Sequence, residues 1–248
     1  MRKLASTVLF LVITLSSFGQ KKNSPLPISH LTGDFYVYKT FHDYNGTLIS
    51  ANAMYLVTDK GVVLFDAPWD ETQFQPLLDS IKAKHNKEVI MLFATHSHDD
   101  RAGGFDFYRK KGIKTYSIKL TDDILKKEKK PRAEFIIPND KTFTVGQHTF
   151  EVYYPGKGHA SDNIVIWFDK EKVLYGACFI KSADAADLGY LADSDVKEWK
   201  KSIGKVKAKF KNPIYIIPGH EDWTNTESLN HTLKLVNEYL AQKSSGKK

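Results

Sequence analysis

A chain of 248 residues with 42% hydrophobic content can fill the core of one large domain or two small ones. Its formal net charge of +7 gathers in two lysine-rich runs, Leu125 to Arg132 and Lys200 to Lys211, which lack the aromatic platform of a nucleic-acid surface; they read as solvated surface, the first a loop and the second the outer face of a helix. The single cysteine, Cys178, excludes an internal disulfide and leaves a thiol that is buried, reactive or bound to metal.

The amino terminus, MRKLASTVLFLVITLSSFGQ, has a basic start, an apolar run from Leu4 to Leu15 and a small-residue end. That is the layout of a secretory signal peptide, here cleaved after Gly19. The run is shorter than the ~20 apolar residues that span a bilayer. The expectation is a single mature domain over residues 20–248, exported to the periplasm with no stable membrane association.

Phe35 to Phe41 and Ser50 to Thr58 predict strands joined through Asn45-Gly46, a strong hairpin signal. Gly61 to Pro68 is a strand ending in Asp66. Glu71 to His85 follows as an amphipathic helix with Phe74, Leu77, Leu78 and Ile81 on one face. The apolar run Glu88 to Ala94 is a buried strand that opens into ATHSHDDRAGG, and a helix closing at Gly112 comes next. Lys114 to Lys119 resumes as a strand, and Lys141 to Gly156 is a hairpin turning near Gly146-Gln147. Strands Asn163 to Asp169 and Lys172 to Phe179, a helix Ser194 to Phe210, a strand Pro213 to His220 and a helix from Asn225 to Gln242 complete the chain. Mixed strands with helices at both sides predict an α/β fold of two mixed β-sheets flanked by helices, an αββα four-layer sandwich.

Six residues at strand-to-loop transitions carry metal-ligand chemistry: His96, His98, Asp100, His159, Cys178 and His220. Imidazole, thiolate and carboxylate together suit zinc. In extended chain, positions i and i+2 project alike, so His96 and His98 can grip one ion. Asp100 then faces a second ion, and Asp99, of opposite parity, turns away. Asp66 orients a ligand histidine or Arg101, or it caps its turn; the residues alone leave both open. The other histidines, His30, His42, His85, His148 and His231, stand outside the pattern and read as ordinary.

The motif HSHDDRAGG, followed in order by His159, Cys178 and His220, resembles the metallo-β-lactamase superfamily and specifically its B1 enzymes, over essentially the whole mature chain. H-x-H-x-D alone marks the superfamily; the ordered six are more specific. The resemblance implies two zinc ions per chain, one held by His96, His98 and His159 and the other by Asp100, Cys178 and His220. Other hydrolases of this fold carry a metal-binding histidine where Arg101 stands. A guanidinium cannot ligate, so its implied work is to pair with aspartate or support the thiolate.

The implied activity is hydrolysis of the β-lactam amide of penicillins, cephalosporins and carbapenems by zinc-bound hydroxide, conferring antibiotic resistance, with Asp100 orienting the hydroxide or relaying its proton. Lys181 would meet the substrate carboxylate, and Leu48 and Ile49 on the hairpin would offer apolar contact. Tyr190 stands where many B1 enzymes carry an asparagine assigned an oxyanion role, so that role does not carry over. The expected partners are small-molecule β-lactams, with no nucleic acid, and the expected state is a monomer. Rival readings are a hydrolase of the same fold acting on a thioester, lactone or phosphodiester, and a non-catalytic zinc-binding protein.

Overall fold

The Asn45-Gly46 pair turns the chain as its chemistry requires. Both residues adopt positive φ, 53° and 81°, the left-handed pair of a two-residue hairpin between β2 (Phe35–Tyr44) and β3 (Thr47–Thr58). The computed structural model describes residues 26–246; the signal peptide expected over residues 1–19 lies outside the described residues. Among the described residues, no helix is long and apolar enough to cross a membrane.

Seven strands form the first sheet in chain order: β1 (Ile28–Thr32), β2, β3, β4 (Gly61–Phe65), β5 (Val89–Phe93), β6 (Lys114–Ile118) and β7 (Phe135–Ile137). Pairing is antiparallel as far as β4 and parallel beyond it. The crossovers supply α1 (Phe74–His85), α2 (Asp99–Ala102), α3 (Phe105–Lys110) and α4 (Lys119–Lys127). The second sheet runs β12 (Tyr215–Pro218), β11 (Val173–Ala177), β10 (Val165–Phe168), β9 (His148–Tyr153), β8 (Asp140–Val145), with only β11 and β12 parallel. α5 (Val196–Lys209) and α6 (Ser228–Ser245) follow β11 and β12.

Three apolar layers make this the expected αββα sandwich. Between the sheets, Phe35, Phe65 and Phe93 meet Phe150, Phe168 and Tyr175. Several of these rings pack edge to face, Phe65 on Phe150 with centroids 5.2 Å apart and Phe35 on Phe168 at 4.8 Å; each such pair adds about 0.5–1.5 kcal/mol beyond burial. Outside the first sheet, Phe74, Leu77 and Ile81 of α1 join Phe105, Tyr108 and Leu125. Outside the second, Trp199, Ile203 and Val206 of α5 cover Val165 and Leu174. Strands sandwiched this way are apolar on both faces, which is why β4 reads as a continuous apolar run.

Some expectations need correction. The run Leu125 to Arg132 is not all loop: its first residues finish α4, where Leu125 is buried and Lys126 and Lys127 are exposed. The strand expected over Lys114 to Lys119 stops at Ile118 because Lys119 already begins that helix. The helix expected over 103–112 is the shorter α3, and an unexpected helical turn, α2, precedes it across Gly103-Gly104. Edge strands β1 and β7 carry too few buried side chains to show a period. The carboxyl ends of β4, β5, β11 and β12, with the loop from β9 to β10, carry the six candidate donors and Asp66.

Candidate metal centre

β5 ends at Phe93, and the chain bends through Thr95 to His98, where His98, extended at φ −67°, ψ 154°, precedes the helical turn of α2. His96 Nε2 lies 3.1 Å from His98 Nδ1, and His159 Nε2, from the β9–β10 loop, lies 3.3 Å from the same atom. Donors held about 2.0–2.1 Å from a tetrahedral zinc sit roughly 3.3 Å from one another. The three imidazoles therefore fit one ion.

The second cluster is assembled from three elements. Asp100 Oδ2 lies 3.4 Å from Cys178 Sγ and 3.5 Å from His220 Nε2, and Cys178 Sγ lies 3.3 Å from His220 Nε2. These spacings suit a carboxylate, a thiolate and an imidazole around one zinc ion. The donor atoms of His96, Asp100 and Cys178 also lie within 4.8 Å of one another, so the clusters share a wall. Asp100 does not reach this place by strand parity. Residues 99–102 form a helical turn that swings Asp100 inward. Asp99 is exposed, and its carboxylate pairs with Lys130 Nζ at 3.1 Å on the rim of the cleft.

The nitrogen left free on each ring follows from its other partner. His220 Nδ1 lies 2.8 Å from the Ser50 carbonyl and must donate to it, which frees Nε2. His98 Nε2 lies 3.0 Å from Asp193 Oδ2, freeing Nδ1. His96 Nδ1 meets the Thr95 hydroxyl at 3.2 Å, and that hydroxyl bonds Asp66 Oδ2 at 2.9 Å. Asp66 thus reaches the metal-side histidine through Thr95. It also accepts from Tyr175 at 2.5 Å and pairs with Arg101 at 3.4 Å. Burial pushes its pKa up to about 6 against Arg101, Tyr175 and Thr95.

Arg101 is fully buried behind the second cluster. Nε pairs with Asp100 Oδ2 at 2.9 Å; Nη2 donates to Cys178 Sγ at 3.0 Å and to the Gly219 carbonyl at 2.9 Å; Nη1 donates to the Asn52 carbonyl at 2.7 Å. Burial would raise the Asp100 pKa, yet Arg101 and His220 carry it well below the carboxylate range. Burial lowers His96 and His159 well below the usual imidazole value, keeping their lone pairs available. Burial also opposes charge on His220, but Cys178 and Asp100 push it up to about 9, so a metal entering this cluster would displace a proton.

The backbone is strained where it delivers these groups. Asp66, Ala177 and Glu221 take positive φ of 70°, 44° and 65°, beside strand ends that lead to the site. A Cβ at Gly219 would meet the Cys178 backbone nitrogen at 2.5 Å, so only glycine lets the ends of β11 and β12 come this close.

The clusters floor a cleft of about 760 Å³ whose wall includes His42, Tyr44, Ile49, Trp69, Tyr190 and Asp193. The Tyr190 ring stands edge-on to His98, with centroids 5.7 Å apart. Leu48, 68% exposed, is not on this wall, although Ile49 is. Lys181 also lies off the wall, with Nζ 5.9 Å from the Trp199 ring centroid; burial lowers its pKa against Cys178, Glu221 and Asp100. Sequence reasoning treated His42 as ordinary, yet it lines the cleft and stacks on Trp69 at 5.1 Å. It also missed Asp193, Glu128 and Lys130, which reach the cleft from distant loops and carry no motif of their own.

The sequence pattern of the metallo-β-lactamase superfamily matches residues 46–220. The chain is 49% identical over 225 residues to "Metallo-beta-lactamase type 2" of Elizabethkingia meningoseptica, covering 91% of this chain and 90% of that protein. It is 48% identical over 226 residues to "Metallo-beta-lactamase IND-1" of Chryseobacterium indologenes, covering 91% and 95%. The crystal structure of metallo-beta-lactamase IND-7 superposes with a TM-score of 0.84 at 46% identity, covering 88% of this chain and 100% of that one. With the donor set in place on the matching fold, the chain belongs to the metallo-β-lactamase superfamily, in its B1 branch.

Proposed function

We propose that the protein is an exported zinc-dependent β-lactamase that hydrolyses penicillins, cephalosporins and carbapenems and so confers antibiotic resistance. The observation that carries this reading is the pair of donor triads, at zinc-binding spacing, on the floor of a single cleft. The names of the relatives add the substrate class. Zinc in such a site supplies Lewis acidity toward an amide carbonyl and a water acidic enough to act near neutral pH.

The protein's own groups do the rest. Each triad takes one zinc, two per chain. Asp100, kept ionised by Arg101, accepts and orients the proton of the attacking water. Lys181 swings from Trp199 to meet the substrate carboxylate, its ammonium being a compact point charge on a flexible stem. Ile49 on the cleft wall touches apolar substituents, and the Tyr190 hydroxyl offers a donor beside His98. The leader over residues 1–19 is removed, and residues 20–248 act as a single monomeric domain in the periplasm.

Carbapenem hydrolysis by the purified mature chain, with and without chelator, tests this. Loss of the ring chromophore that stops on chelation and returns with zinc is expected. An intact chromophore at full zinc occupancy refutes the reading.

A further inference from the structure

His159 differs from the other histidine donors in having nothing on its far nitrogen. Nδ1 is buried and has no hydrogen-bond partner among the described residues, so the ring is aimed by its loop and by edge packing on Trp199, with centroids 6.0 Å apart. That loop, 156–163, is well braced. Asn163 Oδ1 accepts from the Ala160 nitrogen at 3.0 Å, and Asn163 Nδ2 donates to the Gly156 carbonyl at 2.9 Å. Just beyond, Ile164 donates to the Thr95 carbonyl at 2.9 Å, one residue before His96.

Among these braces stands an aspartate with no evident task. Asp162 is fully buried, and neither carboxylate oxygen makes a hydrogen bond among the described residues. Two hydroxyls face it without a direct bond. One belongs to Thr121 in the first turn of α4, itself buried and unpartnered; the other belongs to Ser97, between His96 and His98. Burial raises the Asp162 pKa, and these two hydroxyls pull against it. A sealed carboxylate is too costly to leave unsatisfied. Two hydroxyls beside two carboxylate oxygens are the polar partners that an internal water bonds.

We propose that Asp162, through one internal water shared with the Ser97 and Thr121 hydroxyls, is the positioning residue that sets His159 against His96 and His98. It touches no substrate. It joins the His159 loop, the H-x-H turn and α4, so the three-histidine cluster keeps its spacing although no hydrogen bond among the described residues orients the far nitrogen of His159. The proposal rests on the reading that these histidines hold a metal ion.

Cobalt(II) titration of the metal-free chain tests it. Its d–d absorption reports both clusters, and the Cys178 thiolate-to-cobalt band reports only the second. Asp162→Ala is expected to weaken cobalt at the three-histidine cluster at least ~10-fold, the scale of lost orienting contacts, while the thiolate band saturates as in the wild type. Asp162→Asn, which keeps the shape and one acceptor oxygen, should recover part of the loss. Ser97→Ala, which leaves the carboxylate, should weaken the same cluster about threefold. Wild-type affinity at both clusters in Asp162→Ala overturns the proposal. So does equal weakening at both with a lower Tm of the metal-free chain, the mark of a merely structural group. If Asp162→Ala fails to fold, Ser97→Ala decides, and unchanged affinity there overturns it. A wild-type chain that binds no cobalt would overturn the proposed function, and this inference with it.

Discussion

Within the three-histidine cluster each imidazole has a separate support: the Thr95 hydroxyl on His96, the Asp193 carboxylate on His98, a braced loop under His159. The neighbouring triad shares one. One buried cation, Arg101, holds Asp100, Cys178 and the backbone before His220 at once, and the Ser50 carbonyl sets the His220 ring. The difference follows from charge. Burial holds the His96 and His159 imidazoles neutral, and neither needs a counter-ion. The buried Asp100 carboxylate beside Cys178 does need one, and a guanidinium offers enough fixed donors to meet both.

The comparison breaks most visibly if one cluster survives the loss of its own support. Removing a ring from the three-histidine cluster, as in His159→Ala, should lower kcat/KM for a β-lactam about a thousandfold, ~4 kcal/mol in barrier; steady-state kinetics at saturating zinc check this. Arg101→Ala should instead act on the fold. It strands Asp100 and Asp66 as buried charges and should cost the metal-free chain ~3–5 kcal/mol in urea unfolding. Arg101→Lys should restore little, because a single ammonium cannot replace the fork.

Asp193→Asn sharpens the side of the contrast built from separate supports. The amide can accept from His98 but carries no charge, so metal at the three-histidine cluster should weaken ~10-fold with the second cluster unchanged, read by competition with a chelator. Tyr190→Phe should have the smallest effect: turnover within about tenfold of wild type, ~1.4 kcal/mol, if zinc rather than the phenol stabilises the oxyanion. A loss of several hundredfold would give Tyr190 a direct part.

The same contrast explains what was legible in the sequence. The sandwich was readable because its strands are buried on both faces and its helices on one, so Gly61 to Pro68 and Glu71 to His85 declare themselves. The six donors were readable because their types and order are unusual at strand ends. Asp100 was chosen by a parity argument that the helical turn at 99–102 overrides, because a turn of helix brings adjacent aspartates onto different faces without any strand alternation. Asp193, His42 and Lys130 reach the cleft only through folding of distant loops; the Asp193–His98 contact spans 95 residues, and no local pattern marks it. Leu48 shows the converse, since apolar chemistry at a hairpin tip does not say which side chain faces the cleft.

The central claim is that two differently built triads each hold one zinc ion. Metal analysis of Cys178→Ser after dialysis tests it most directly. The wild-type chain should retain two zinc ions and the variant one, with the survivor in the three-histidine cluster. Two tightly held ions in Cys178→Ser would remove the thiolate from the site and contradict the account.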